Sequence, residues 1–307
     1  MRVAIIGFGK WGRNYLSAIN QSGIARVTQV LVRNQNQIIG DPQIGEARVT
    51  SRLEEIECDA AIVATHPSVT VSYAVHFLLK NIPVMLEKPA GLSLNDALFL
   101  QSVANEHLVP LLISHQHLFS NVYQELKKRV NSDEVMQIET AAGNDGPYRD
   151  YSFICDYAPH DIAMILGLKL LEPRLLTSVT QSSGKHEGLC EFALSFEDGS
   201  QAKTKIWNDR LPKVRRLEVK IQNNTYAYDD INHKNALILN GSEINVTYVP
   251  SLTNAVNAFL RAVEFDFVDD YRFGVEWAVK VANLIDQIRK KQRSNTNTYV
   301  GIKSPTR

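Results

Sequence analysis

Short apolar runs punctuate the first third of the chain: Val3–Ile6, Val27–Val32, Ala60–Ala64, Pro83–Leu86 and Leu108–Ser114. The first, Val3–Ile6, is continuously apolar and β-branched, which suits a strand buried on both faces, and Ala60–Ala64 and Pro83–Leu86 read as buried strands too. Between them, apolar positions return with helical spacing in Arg13–Asn20 (Tyr15, Leu16, Ile19), Val71–Lys80 and Asn95–His107. Ser93 stands where the last of these helices needs a cap, and Leu53–Glu57 reads as a further short helix. Buried strands alternating with helices predict a parallel, doubly wound sheet of the α/β class.

The period changes after Leu118. Asn121–Val130 is helical, Val135–Ala142 strand-like, Asn144–Tyr151 a polar loop, and Cys155–Leu166 a helix carrying Asp156, His160 and Asp161. Strands then dominate: Leu175–Thr180, Cys190–Phe196, Ala202–Trp207, Arg216–Gln222, Asn224–Tyr228 and Asn235–Leu239. Asp198-Gly199 and Asn223-Asn224 mark hairpin turns. Thr253–Glu264 and Phe273–Lys291 close the chain as helices. The second has an apolar stripe of Trp277, Val281, Leu284 and Ile288, and a basic end, Arg289–Lys291, suited to a helix C-terminus. The pattern predicts an α+β second domain on a mainly antiparallel sheet. Apolar residues such as Phe192, Leu194, Phe196, Ile206 and Trp207 fall on both sides of the strand alternation. That pattern predicts a homodimer or homotetramer joined through this sheet.

The first apolar run leads into Gly7-Phe8-Gly9-Lys10-Trp11-Gly12, a G-x-G-x-x-G loop that opens a helix. In that context the first glycine permits the tight turn and the second lets backbone approach a pyrophosphate. The third lets helix and strand pack closely, and the helix N-terminus offers free N–H groups to the anion. Residues 1–117 are therefore expected to be a Rossmann dinucleotide-binding domain. Residues 118–307 would then be a substrate-binding and oligomerisation domain that includes the closing helices. Arg33 follows the second strand, where a carboxylate would accept from an NAD ribose, and no acid occurs until Asp41. A guanidinium there can grip a 2′-phosphate, which favours NADP over NAD.

Composition narrows the partners. In 307 residues, 33 Lys and Arg balance 33 Asp and Glu, so nothing in the charge points to nucleic acid or an anionic membrane. There is no signal-peptide pattern and no apolar run long enough to cross a bilayer. Cys58, Cys155 and Cys190 are odd in number and widely spaced, reading as reduced thiols of a cytoplasmic protein. The Gln292–Arg307 tail reads as loose.

Candidate chemistry lies at strand ends and on one helix. Glu87-Lys88-Pro89 puts two charges at the end of a buried strand. Thr65 and His66 follow the third run, and Gln116 lies between His115 and His117 after the fifth. Two histidines so spaced can ligate metal, but no third ligand is evident and no metal is expected. Asp156 and His160 share one helix face.

The glycine loop, Glu87-Lys88-Pro89 and Asp156-x-x-x-His160, in that order, resemble the Gfo/Idh/MocA oxidoreductases, relatives of glucose–fructose oxidoreductase and inositol dehydrogenase. The resemblance covers nearly the whole chain. It implies Lys88 as the catalytic lysine, with Asp156 and His160 as its partners. It also implies that Gln116, Thr65 and His66 lie near the nicotinamide of NADP or NAD, and that no metal is used. The implied reaction is hydride transfer with a sugar, cyclitol or sugar derivative, which needs a group that moves the hydroxyl proton. Either Lys88 or His160 could be that group. The chain departs from the family in two places. Tyr151–Cys155 is bulky where relatives are glycine-rich, and Val71 stands where many carry histidine. Two further readings stay open: a non-catalytic sensor that keeps the cofactor site, and a reductase of a non-sugar carbonyl or imine.

Overall fold

The computed structural model describes residues 1–38, 40–146, 149–182, 188–209, 212–265, 270, 272 and 274–298. The chain forms two compact units, Met1–Ser120 with Val249–Ala282, and Asn121–Tyr248 with the residues from Asn283 onward.

The first unit is built on β1 (Arg2–Ile6), β2 (Arg26–Leu31), β3 (Arg48–Thr50), β4 (Ala60–Val63), β5 (Val84–Leu86) and β6 (Leu111–Ile113). They form one parallel sheet in the order β3-β2-β1-β4-β5-β6. Helices α1 (Lys10–Ser22), α2 (Pro67–Leu78) and α3 (Leu94–His107) connect its strands. The edge strand β3 is an addition to the predicted set, because Arg-Val-Thr is too short and too polar to show as an apolar run. Leu53–Glu55 is a single 3-10 turn rather than a helix. α2 starts before Val71, because His66 caps it and Pro67 takes the first helical position, where its missing N–H costs nothing. Ser93 caps α3 as expected, with Asp96 returning the bond to complete a capping box.

The second unit comprises α4 (Asn121–Arg129), β7 (Met136–Gly143), α5 (Phe153–Leu168) and β8 (Arg174–Ser182). It continues with β9 (Gly188–Ser195), β10 (Gln201–Trp207), β11 (Val214–Ile221), β12 (Asn224–Asp229), β13 (Ala236–Leu239) and β14 (Ser242–Asn245). The eight strands run in the order β14-β13-β12-β11-β7-β10-β9-β8, and only the β7–β10 pair is parallel. α5 packs on β7 and β10 at the sheet's centre.

Strand register overturns one expectation. Phe192 faces Thr204 and Leu194 faces Ala202 across the β9–β10 pair, so Phe192, Leu194, Phe196 and Ile206 share the buried face. Glu191, Lys203 and Lys205 alternate with them on the exposed face, and only Trp207 departs from the alternation. The period of two, read residue by residue, puts four of the five predicted apolar side chains on the buried side and leaves Trp207 on the other.

Asp198-Gly199 joins β9 to β10 as expected, with Gly199 at φ 90°. The β11–β12 turn is Gln222-Asn223, one residue earlier than predicted, with Gln222 at φ 51°. Asn240-Gly241, at φ 50° and 84°, makes the turn into the unpredicted strand β14. Positive φ at both central residues is type I′ geometry, which Asn-Gly favours.

The closing helices are α6 (Ser251–Phe265) and α7 (Val275–Thr298). α6 packs on α1, and Val275 and Ala278 of α7 join the core around Leu86, Leu100 and Val103, so this segment clusters with the parallel sheet. Phe273 and residues 299–307 lie outside the described residues. α7 continues through Thr298, so Gln292–Thr298 is helix rather than loose tail. Arg289–Lys291 is therefore not a helix terminus: Lys290 pairs with Asp286 at 2.6 Å, and Lys291 donates to the Leu176 carbonyl at 2.7 Å.

Candidate active site

The sheet order of the first unit reverses between β1 and β4, and α/β sheets bind ligands beyond the carboxyl ends of strands at such a point. The glycine loop follows β1, Arg33 follows β2, Thr65 and His66 follow β4, Glu87 and Lys88 follow β5, and Gln116 follows β6. The fold thus collects every candidate of this unit along one sheet edge.

Each glycine of the loop answers a different constraint. Gly7 sits at φ 92°, and a Cβ there would come within 2.6 Å of the Ala64 carbonyl oxygen. A Cβ on Gly12 would lie 2.2 Å from the Gly7 carbonyl oxygen, so strand and helix meet through bare backbone. A Cβ on Gly9 would meet nothing within 4 Å. Gly9 caps α1 without a side chain, and the first turn carries no acid to compete for its N–H groups. This cradle fits a dinucleotide pyrophosphate: the Gly9 methyl that is missing would occupy that space, and the helix end presents unopposed donors. Nearby, the buried Thr65 hydroxyl has no hydrogen-bond partner among the described residues. Phe8 is buried under the Arg13 guanidinium, 4.7 Å from its ring centroid, and Arg13 pairs with Asp41. Asp41, the first acid after β2, is thereby engaged. Arg33 is exposed and makes no ion pair among the described residues. Lys10 is exposed and Trp11 half-buried.

At the end of β5, Glu87 is buried and accepts a 2.5 Å hydrogen bond from the Tyr15 hydroxyl of α1. Burial first, and the Glu87 charge second, push the Tyr15 phenol well above its usual range, so it remains a donor. Lys88 is half-buried, and Lys88–Pro89 is a cis peptide. His115 is buried, and desolvation, aided by the Lys88 charge, lowers its pKa to about 3, so it is neutral at physiological pH. Gln116, half-buried, opens a 3-10 turn over residues 116–119, which ends the strand-like spacing of His115 and His117. Among the described residues no three His, Cys, Asp or Glu side chains are grouped to hold a metal ion.

In the second unit, Ser152 caps α5, whose first turn places Asp156 and whose second places buried His160. Phe153, Ile154 and Cys155 are buried, so the bulk that departs from the family pattern is core. Arg149 Nε lies 3.6 Å from Asp156. The Tyr157 hydroxyl lies against the side-chain oxygens of Asn144 and, at 2.8 Å, Asn208, and the Gly146 N–H donates to the latter at 3.1 Å. Burial, reinforced by Asp156, pushes Tyr157 up to about 12. Next to His160, Asp161 is wholly buried and accepts from Arg215 at 3.1 Å. Desolvation raises its pKa to about 6 against the opposing pull of Arg215. Tyr15, Arg149, Tyr157, Asn208 and Arg215 are absent from the predicted site. Their contacts are long-range in sequence or lie in irregular loops, and spacing carries no trace of them.

Residues 1–115 match the family model described as an oxidoreductase family with an NAD-binding Rossmann fold, GFO/IDH/MocA. Comparison with curated proteins finds no match. Among solved structures, the chain is similar to a protein assigned as an oxidoreductase from Magnetospirillum magnetotacticum MS-1. That match has 25% identity and a TM-score of 0.79 over 93% of this chain and 98% of that one. UDP-N-acetylglucosamine 3-dehydrogenase from Acidithiobacillus ferrooxidans shares 20% identity with a TM-score of 0.84, over 94% and 97% of the two chains. A protein assigned as an NADPH-dependent oxidoreductase from Desulfitobacterium hafniense DCB-2 shares 16% identity with a TM-score of 0.84, over 96% of each. The glycine cradle at the switch point of a parallel sheet lies within the residues that match this model, so residues 1–115 carry the NAD-binding Rossmann fold that the GFO/IDH/MocA oxidoreductase model describes.

Proposed function

We propose that the protein is a cytoplasmic NAD(P)-dependent dehydrogenase or reductase acting on a CH–OH or carbonyl carbon of a sugar, cyclitol or sugar derivative. The observation that carries this reading is the gathering of the glycine cradle, Thr65, His66, Glu87, Lys88 and Gln116 on one edge of the parallel sheet. When bound, the nicotinamide supplies the hydride acceptor or donor. Residues 1–117 hold the dinucleotide, with the N–H groups of the α1 N-terminus on the pyrophosphate and Thr65, His66 and Gln116 towards the nicotinamide. Arg33, exposed and without an ion pair among the described residues, supports NADP as the preferred form.

Lys88 binds and polarises the reacting oxygen. His160 exchanges its proton as general acid–base, and Asp156 orients the sugar hydroxyl or the histidine. Burial, aided by the Lys88 charge, keeps His115 neutral. Residues 118–307 supply the substrate-binding and oligomerisation part, with two copies meeting through the exposed face of the eight-stranded sheet. Glu139, Glu191, Lys203, Lys205 and Arg216 give that face both signs of charge, so it can complement itself.

The test is a panel of sugars, nucleotide sugars and cyclitols offered with NAD+ and NADP+ and followed by absorbance of the reduced coenzyme. UDP-N-acetylglucosamine, the substrate named for the A. ferrooxidans protein, is the first probe. Turnover of at least one member, with Arg33→Ala weakening NADP more than NAD, is expected. Binding of coenzyme with no turnover anywhere in the panel would instead support the sensor reading.

A further inference from the structure

We infer that Tyr15 is a positioning residue for hydride transfer, holding the Glu87 carboxylate so that the nucleotide-binding helix and the segment carrying Lys88 form one rigid piece. This rests on the assignment of Lys88 above. Tyr15 is wholly buried on α1, one turn beyond Gly12, and Glu87 is buried at the carboxyl end of β5. Their 2.5 Å hydrogen bond joins two segments distant in sequence, each of which ends in a functional group: the α1 N-terminus and Lys88.

A phenylalanine would fill the same volume at less cost, because a buried hydroxyl needs a partner. The partner chosen here is a carboxylate rather than a backbone carbonyl. An O–H donated to an ionised carboxylate is among the stronger hydrogen bonds, and it favours the charged form. Besides Glu87, the Ser114 hydroxyl acts on Tyr15; Lys88 follows Glu87 in the chain, and its charge acts on His115, whose imidazole is neutral. The tyrosine therefore has two effects. It keeps a negative charge next to Lys88, and it fixes where β5 ends relative to the helix whose N-terminus takes the pyrophosphate. A catalytic group displaced by about 1 Å loses on the order of 10²-fold in rate, so this tether acts on turnover before it acts on binding.

The test compares Tyr15→Phe, Glu87→Gln, their double variant and Lys88→Ala, each confirmed folded by circular dichroism. NADH and NADPH binding, read by quenching of tryptophan fluorescence, should stay within about twofold of wild type in Tyr15→Phe, since the glycine cradle is intact. The ¹³C resonance of the Glu87 carboxyl, assigned by its loss in Glu87→Gln, should titrate at higher pH in Tyr15→Phe. With a substrate from the panel, kcat should fall about 10- to 100-fold while KM holds, and the double variant should be no worse than Glu87→Gln alone. Wild-type Glu87 titration and wild-type kcat in Tyr15→Phe, beside an inactive Lys88→Ala, would overturn the inference and leave the Lys88 assignment standing. Wild-type kcat in Lys88→Ala would remove that assignment and the inference with it. Should Tyr15→Phe not fold, Glu87→Gln decides, and full turnover there would overturn the inference.

Discussion

Glu87-Lys88 and Asp156-x-x-x-His160 are candidates because charges at the end of a buried strand, or on an apolar helix, stand out against their surroundings. What spacing could not show is how each is held. Glu87 depends on Tyr15 from α1, and the neighbour of His160, Asp161, depends on Arg215 from β11. Such partners are chosen by tertiary contact, which leaves no periodic mark. If Lys88 polarises the reacting oxygen and His160 moves the proton, either alanine variant should still bind coenzyme. His160→Ala should lose about 10²–10⁴-fold in kcat and the pH limb near neutrality. Lys88→Ala should lose kcat/KM severely at all pH, and the double variant should show much less than the sum of the two losses. Steady-state kinetics against pH checks this, and near-wild-type turnover in both single variants would remove the assignment.

The Asp161–Arg215 pair gives a second prediction at the same scale. Arg215→Ala strands a buried carboxylate and should cost about 3–5 kcal/mol, whereas Asp161→Asn should cost less. The folded protein raises the Asp161 pKa to about 6, above the ordinary value of about 3.9, so it binds that proton more tightly than the unfolded chain does. Its contribution is therefore fully present below about pH 4 and is lost as pH rises to about 6. Asp161→Asn should remove that part of the stability loss between these pH values, as read by chemical denaturation. An unchanged pH slope would show that Asp161 does not titrate there.

At the scale of elements, long amphipathic or uniformly apolar segments were read correctly, while β3 and β14 were not, being short and polar. The Asn240-Gly241 turn did carry a signal for β14, and its type I′ dihedrals show why that dipeptide belongs there. The exposed and buried faces of β9 and β10 were also misjudged, since Phe192, Leu194 and Phe196 sit two residues apart and must share a face. The β1–α1 junction gives the element-scale prediction. Gly9→Ala adds a methyl that meets no protein atom within 4 Å, so the variant should fold normally. It should nevertheless lose nucleotide affinity by at least about tenfold, roughly 1.4 kcal/mol, because the methyl occupies pyrophosphate space. Gly12→Ala would put a Cβ 2.2 Å from a backbone oxygen and should lower the melting temperature itself. Calorimetric titration with NADPH and a thermal melt of each variant separate the two outcomes. A Gly9→Ala protein that binds coenzyme like wild type would remove the dinucleotide from this loop.

For the whole molecule, the division into a parallel-sheet part and a mainly antiparallel part followed from the change of period after Leu118. The clustering of Val249–Ala282 with the parallel sheet did not, because a helix stripe shows that a face is buried but not against what. The self-complementary charges of the exposed sheet face predict a dimer or tetramer at micromolar concentration that weakens as salt rises. Sedimentation velocity checks this, and a monomer at low salt would contradict it.

The central claim is hydride transfer between nicotinamide and a sugar-like carbon, and the label itself tests it most directly. NADPH and NADH carrying deuterium on the transferable position of C4 would be incubated with the oxidised forms of the panel sugars. The products would then be analysed by mass spectrometry. The account predicts one deuterium on the carbinol carbon of at least one product in wild type and none in Lys88→Ala, with coenzyme bound by both. Coenzyme that binds to the wild-type protein yet keeps its deuterium with every sugar would contradict it.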